Sequence, residues 1–193
     1  DAVKCPLTMK IRIGYDESQQ SKEAFWYIIE NAAAQNIDAL IIHGRTVNQY
    51  YRGKADWQTI LEVKKRFPAL TVIGSGDIFT PEVILERIRQ GVDGVTVARG
   101  AIGNPWIFSQ TRALLAKNPK PDLPSISSQA EIILKHFKDV QTIHGTTKSI
   151  GYFRKFSAQY AKLHPEKKLV HRDLLAANST PELLSAIDKW YTN

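Results

Sequence analysis

Four short apolar runs in this sequence each end on polar or glycine residues of the kind that grips an anion. Lys10 and Arg12 close the first and His43-Gly44-Arg45 the second; Gly74-Ser75-Gly76-Asp77 closes the third and Arg99-Gly100 the fourth. Arginine offers a planar fork of donors that matches a phosphate. Glycine without a Cβ lets backbone N–H groups approach an anion closely, as Gly74, Gly76 and Gly100 would do here. Taken singly these residues are ordinary, since a strand-end glycine is usually a turn and a lone lysine a solvated charge. Delivered together to one rim, they describe a shared site. Its phosphate end falls at Ser75-Gly76 and Arg99-Gly100, and its reactive end toward Lys10 and His43.

The elements that bring these residues together alternate strand and helix four times. Strand-like runs cover residues 7–13, 39–43, 70–76 and 94–100, and helical stretches cover 18–34, 56–66, 80–90 and 105–117. The runs are nearly all apolar, as expected of parallel strands covered on both faces. Thr80-Pro81-Glu82 supplies a helix N-cap, a proline at the first helical position and an early acid. Gly91 and Asn36 suit left-handed positions after a helix end. Repeated βα units form an open doubly wound sheet or a closed barrel, and both bind ligands at the carboxyl ends of their strands. Four units are half of an eightfold barrel. The chain opens DAVKCPLTMKIRIG, with no initiator methionine and almost at once in a strand, which reads as a segment of a longer protein. The expected fold is therefore α/β: the second half of a (β/α)8 TIM barrel over residues 1–116, then an all-α domain.

A linker with three prolines occupies residues 117–127, and residues 128–193 carry helical patterns beginning near Ser128, Ser149, Glu166 and Thr180. Charge is uneven along the chain. Residues 1–116 hold 14 Lys/Arg against 12 Asp/Glu, and residues 117–193 hold 12 against 7. A basic excess on the smaller part fits a polyanionic partner, though a solvated basic surface has the same composition. Lys148, Lys155 and Lys162, spaced by seven, would share one helix face with Arg154 beside it, opposite Phe153, Phe156, Tyr160 and Leu163. The single cysteine, Cys5, excludes an internal disulfide and fits a reducing, cytoplasmic setting. No apolar run is long enough to cross a bilayer.

KIRIGYDES, IIHGRTVNQYYRGKADW, VIGSGDIFTPE and GVTVARGAIGNPWIF, in this order, resemble successive blocks of the tRNA-dihydrouridine synthase family in its bacterial branch. The likeness is dense over residues 7–108 and looser at GYFRKFSAQY. It implies an FMN-binding β/α barrel followed by a helical domain that helps hold tRNA, an enzyme that is a monomer when complete. Its activity would be reduction of uridine in tRNA to 5,6-dihydrouridine. NADPH would reduce the flavin, the flavin would pass hydride to the uracil, and a cysteine would act as general acid. Carried over by motif, Lys10 and His43 would lie beside the flavin ring, and Ser75, Gly76, Arg99 and Gly100 would hold the FMN phosphate. Arg45 and Gln49 would face the RNA, joined by Arg154 and Lys155 on the helical domain.

The chain departs from that pattern in two ways. The family carries asparagine where Ser75 stands, and a serine hydroxyl donates over a shorter reach. The catalytic cysteine and the early strands of the family precede the segment that starts here, so no catalytic residue is assigned and the chain alone is expected to be inactive. Cys5 reads as a small half-buried side chain. No metal site is expected, because His136, His144, His164 and His171 form no ligand spacing and read as surface or partly buried. Trp57 and Trp106 are expected to pack, while Tyr50-Tyr51 could stack on a base or pack. Two other functions remain open at this point: an FMN-dependent barrel reductase of a small molecule, or a non-catalytic RNA-binding module.

Overall fold

The computed structural model describes residues 4–192. Four strands, β1 (Thr8–Arg12), β2 (Ala39–His43), β3 (Val72–Ser75) and β4 (Gly94–Thr96), form one parallel sheet in the order β1-β2-β3-β4. That order never reverses, whereas a doubly wound sheet must reverse at its switch point. The register aligns Arg12 with His43, His43 with Ser75 and Ser75 with Thr96. Because side chains alternate along a strand, this row occupies one face and the row one residue earlier, Ile11, Ile42, Gly74 and Val95, the other.

Each strand feeds a helix whose ends follow local chemistry. Ser18 caps α1 (Gln19–Ala34) by accepting the Ser21 N–H, and Asn36 sits just beyond its end at φ 51°. Asp56 caps α2 (Trp57–Arg66) through the Thr59 N–H. Thr80 caps α3 (Pro81–Arg89) through the Val83 N–H, with Pro81 in the first turn and Gly91 at φ 116° after the end. These satisfy amides that the first turn of a helix leaves without intrahelical partners. Phe25, Ile29, Trp57, Ile60, Val63 and Ile84 are buried, with Leu40, Ile42 and Val72 of the strands.

The chain divides into two compact units, Asp1–Arg99 and Gly100–Asn193. The second holds α4 (Ile107–Leu115), α5 (Ile126–Arg154), α6 (Ser157–Tyr160), a short 3-10 turn (Ala161–Leu163), α7 (Lys167–Ala176) and α8 (Thr180–Tyr191). Helix α4, grouped with the barrel on sequence grounds, thus falls in the second unit. Ile133, Phe137 and Val140 of α5 pack with Phe153, Val170, Leu174, Leu183 and Ile187 in one apolar cluster. The two expected helices both form as segments of α5, divided at Gly145, where φ is 75° and ψ 161°; the second begins a few residues ahead of Ser149. It stops at Arg154 and the chain turns into α6, so Lys148, Lys155 and Lys162 do not share one straight helix face. His164 is buried, not on the surface. Its Nδ1 accepts the Glu166 N–H, which leaves Nε2 to donate to the Trp190 carbonyl 2.8 Å away. Cys5 is exposed rather than half-buried. Among the described residues no helix is long and apolar enough to cross a membrane, and no cluster of His, Cys, Asp and Glu could hold a metal.

Candidate functional site

The row Arg12, His43, Ser75 and Thr96 forms the floor of a cavity of about 270 Å³ at the carboxyl ends of the strands. Lys10 lies one step back on the same face, and the loops after β2, β3 and β4 contribute Tyr51, Asp77 and Arg99. Of the residues singled out for cofactor contact, Lys10, His43, Ser75, Gly76 and Arg99 all line it; Gly100 does not. Gly76 adopts φ 128°, where a side chain is strained, and an added Cβ would stand 2.6 Å from Ala55 Cβ. Gly74, by contrast, faces away from the cavity. An added Cβ there would lie 2.3 Å from the Trp57 ring, so Gly74 makes room for packing and does not bring its backbone to an anion. Trp57 is buried, as expected, and its indole N–H donates to the Gly76 carbonyl at 3.0 Å.

Positive charge dominates the walls. Arg12 donates only to the Thr46 carbonyl, and Lys10 makes no hydrogen bond or ion pair among the described residues. His43 Nδ1 meets Ser75 Oγ at 3.2 Å, while its Nε2 is buried with no partner. A buried polar nitrogen without a partner is costly unless a ligand or water completes it. Burial, with the charges of Arg12, Arg45 and Lys10, holds the His43 imidazole down to about 4, against a smaller upward pull from Asp77. The ring is therefore neutral at pH 7. On unfolding, its value returns to the ordinary 6.5 and it takes up a proton between those limits, so the fold weakens as pH drops from 6.5 toward 4. We expect His43→Gln to flatten that dependence: thermal melts at pH 7 and pH 5 should differ less in the variant than in the parent. An equal loss in both would show that His43 does not carry it.

Asp77, one residue past Gly76, gathers three loops. Its carboxylate accepts Arg45 Nη2 at 2.6 and 2.8 Å, the Ala55 N–H at 2.8 Å and Arg99 Nη2 at 3.3 Å. Burial alone would raise the Asp77 carboxyl, but the Arg45 hydrogen bonds, the Ala55 amide and the charges of Arg45 and Arg99 together hold it below its ordinary value. The Arg99 guanidinium lies over the Tyr51 ring, 4.3 Å from its centroid, and 5.4 Å from that of Phe79. Tyr51 thus carries Arg99 on one face of its ring, while both it and Tyr50 are exposed. Phe79 is a cavity residue that sequence reasoning passed over, and Asp77, named only as the end of the third run, was given no role of its own. Their signal was the loop itself, a short strand-to-helix connection in which every residue must face something.

Three of the four residues assigned to RNA are committed inside the chain. Arg45 is 2% exposed, tied to Asp77 and to the Gly53 carbonyl at 2.8 Å, so its guanidinium is not offered at the surface. Gln49 spends its amide on its own loop, donating to the Arg52 and Lys54 carbonyls and accepting the Thr46 N–H. Arg154 donates to the Ala177 carbonyl and to Asn178 Oδ1, closing the end of α7. Lys155 is exposed, beside the Tyr152 and Phe156 rings.

A sequence model described as dihydrouridine synthase (Dus) matches residues 1–190. The chain is 31% identical to a "Probable tRNA-dihydrouridine synthase" of Rickettsia conorii, over 100% of this chain and 57% of that protein. It is 32% identical to one from Mycobacterium leprae, over 95% of this chain and 47% of that protein. It is also 32% identical to "tRNA-dihydrouridine synthase B" of Xanthomonas campestris pv. campestris, over 98% and 56%. The chain spans about half the length of the curated relatives it matches. With the family match running almost from end to end, and the cavity ringed by the residues of its most specific blocks, the chain belongs to the dihydrouridine synthase family.

Proposed function

We propose that this chain is the second half of an FMN-binding (β/α)8 barrel with its helical tRNA-binding portion. The whole protein would reduce uridine in tRNA to 5,6-dihydrouridine, with NADPH as reductant. One observation carries the reading: in a chain of this family, the carboxyl ends of four in-register parallel strands surround a cavity walled by Lys10, Arg12, His43 and Arg99. The residues present fit FMN. Arg99 has donors open to the phosphate, Gly76 leaves its backbone bare, and His43 Nε2 is a buried polar atom awaiting a partner. The chemistry the cofactor would supply when bound is hydride transfer to the uracil ring.

The remaining work is electrostatic. Lys10 and Arg12 favour electron-rich, anionic character at the ring end of the cavity, where fixed charges act without reorganising. His43, kept neutral, adds a hydrogen bond rather than a further charge, and Ser75 Oγ on Nδ1 orients the imidazole. A serine in place of asparagine therefore acts through His43. RNA contact falls to Lys155 and its exposed neighbour Lys148, because Arg45, Gln49 and Arg154 are engaged internally. With the family cysteine outside these residues, this chain alone would not turn over.

The test is direct. The intact protein should bind FMN, bleach its flavin with NADPH and raise dihydrouridine in unmodified tRNA, whereas residues 1–193 alone should yield no dihydrouridine. A colourless protein that cannot be reconstituted with FMN would sink the proposal. So would flavin reduction with no uridine consumed.

A further inference from the structure

The two cationic loops at the cavity, carrying Arg45 and Arg99, would repel one another without the Asp77 carboxylate they share. Arg45 takes both Asp77 oxygens from beneath, and Ala55 N–H adds a third bond, which fixes the loop after β2 against the loop after β3. Asp77 itself sits at φ 52°, a left-handed conformation that aspartate tolerates better than most residues. Arg99 is the most loosely held partner, with one 3.3 Å bond, and its Nε and Nη1 make no hydrogen bond among the described residues. Its guanidinium plane is set by the Tyr51 ring, from the same loop that carries Arg45 and Ala55. Four cations, Lys10, Arg12, Arg45 and Arg99, stand against one carboxylate, so the pull on an anion survives the pairing.

We propose that Asp77 is a positioning residue for phosphate recognition: with Arg45 as its fixed anchor, it holds Arg99 against Tyr51 with the remaining donors aimed into the cavity. This rests on the FMN reading above. Asp77 does not touch the ligand; it acts by sparing Arg99 the cost of being ordered when the phosphate arrives. One charge-assisted hydrogen bond held in place in this way corresponds to roughly a tenfold change in affinity.

FMN and riboflavin share the ring and differ in the phosphate, so their affinity ratio isolates this role. Both dissociation constants are measured by flavin fluorescence in the intact protein, for the parent and for Asp77→Asn. The expected result is a parent that prefers FMN, and a variant whose preference falls roughly tenfold while riboflavin affinity is unchanged. Equal weakening of both flavins would mean general damage and would overturn the proposal, as would an unchanged preference. A parent that binds neither flavin overturns the FMN reading, and this inference with it. If Asp77→Asn does not fold, Arg45→Met with Asp77→Asn removes both charges of the pair together, so the buried Arg45 charge is not left without its partner, and is read by the same ratio.

Discussion

Gly103→Ala is expected to lower the stability of the protein by about 3 kcal/mol, from left-handed backbone and overpacking together. Gly103 adopts φ 73°, and a Cβ there would lie 2.5 Å from the Gln159 carbonyl oxygen and 2.6 Å from its carbon. Both atoms are backbone, so neither can swing aside as a side-chain tip would. Gly103 precedes α4, and its contact lies at the end of α6; the bare backbone of one segment rests on the other. Gly145→Ala is the matched control. Its φ is nearly the same, 75°, but nothing lies within 4 Å of an added Cβ. The control should cost about 2 kcal/mol, the conformational part alone, because φ 75° with ψ 161° is a region essentially only glycine occupies. Urea denaturation of both variants should therefore separate by about 1 kcal/mol. Equal losses would show that the Gln159 backbone yields, and that the glycine is there for its dihedral angle only.

Gly74→Ala should cost about 2 kcal/mol through overpacking, with about 1 kcal/mol more if the Trp57 hydrogen bond is lost. The new methyl would stand 2.3 and 2.5 Å from two atoms of the Trp57 six-membered ring, which is buried under Arg87. The ring must move, and its N–H holds the Gly76 carbonyl at the cavity floor. Fold and site thus share one tryptophan. Trp57→Leu alone opens a cavity and costs about 3 kcal/mol. In a Gly74→Ala background the smaller side chain leaves room for the methyl, so the double variant should be more stable than the sum of the two losses predicts, by at least about 1 kcal/mol. Strict additivity in denaturation would mean that the methyl and the ring do not meet.

The strand-end glycines also show where sequence reading stops. Gly74, Gly76 and Gly100 look alike in a list of strand-end residues, yet the pleat sends Gly74 to the helix-covered face and leaves Gly76 at the cavity. Ser75, between them, is buried on the cavity side against His43. Lys10 and His43 reach the same cavity because both follow the same alternation on strands whose ends are in register. Arg45 was misplaced for a different reason. A charged residue after a strand usually stays in water, and only a carboxylate 32 residues away makes enclosure tolerable. Arg154 was misplaced likewise, by acceptors 23 and 24 residues distant.

By itself the sequence determined the βα rhythm, the helix ends and the family blocks. A cap is satisfied within three or four residues, as by Ser18, Asp56 and Thr80, and a buried parallel strand needs only its own apolar run. Tertiary structure alone decided which cations remain open to a ligand. Lys10, Arg12 and Arg99 keep free donors, while Arg45 gives its charge to Asp77 and Gln49 its amide to the loop. The physical reason is range: hydrogen bonds along a turn are written in neighbouring residues, but a buried charge is stable only where folding brings its counter-charge, and that meeting is set by register and loop closure across the whole sheet.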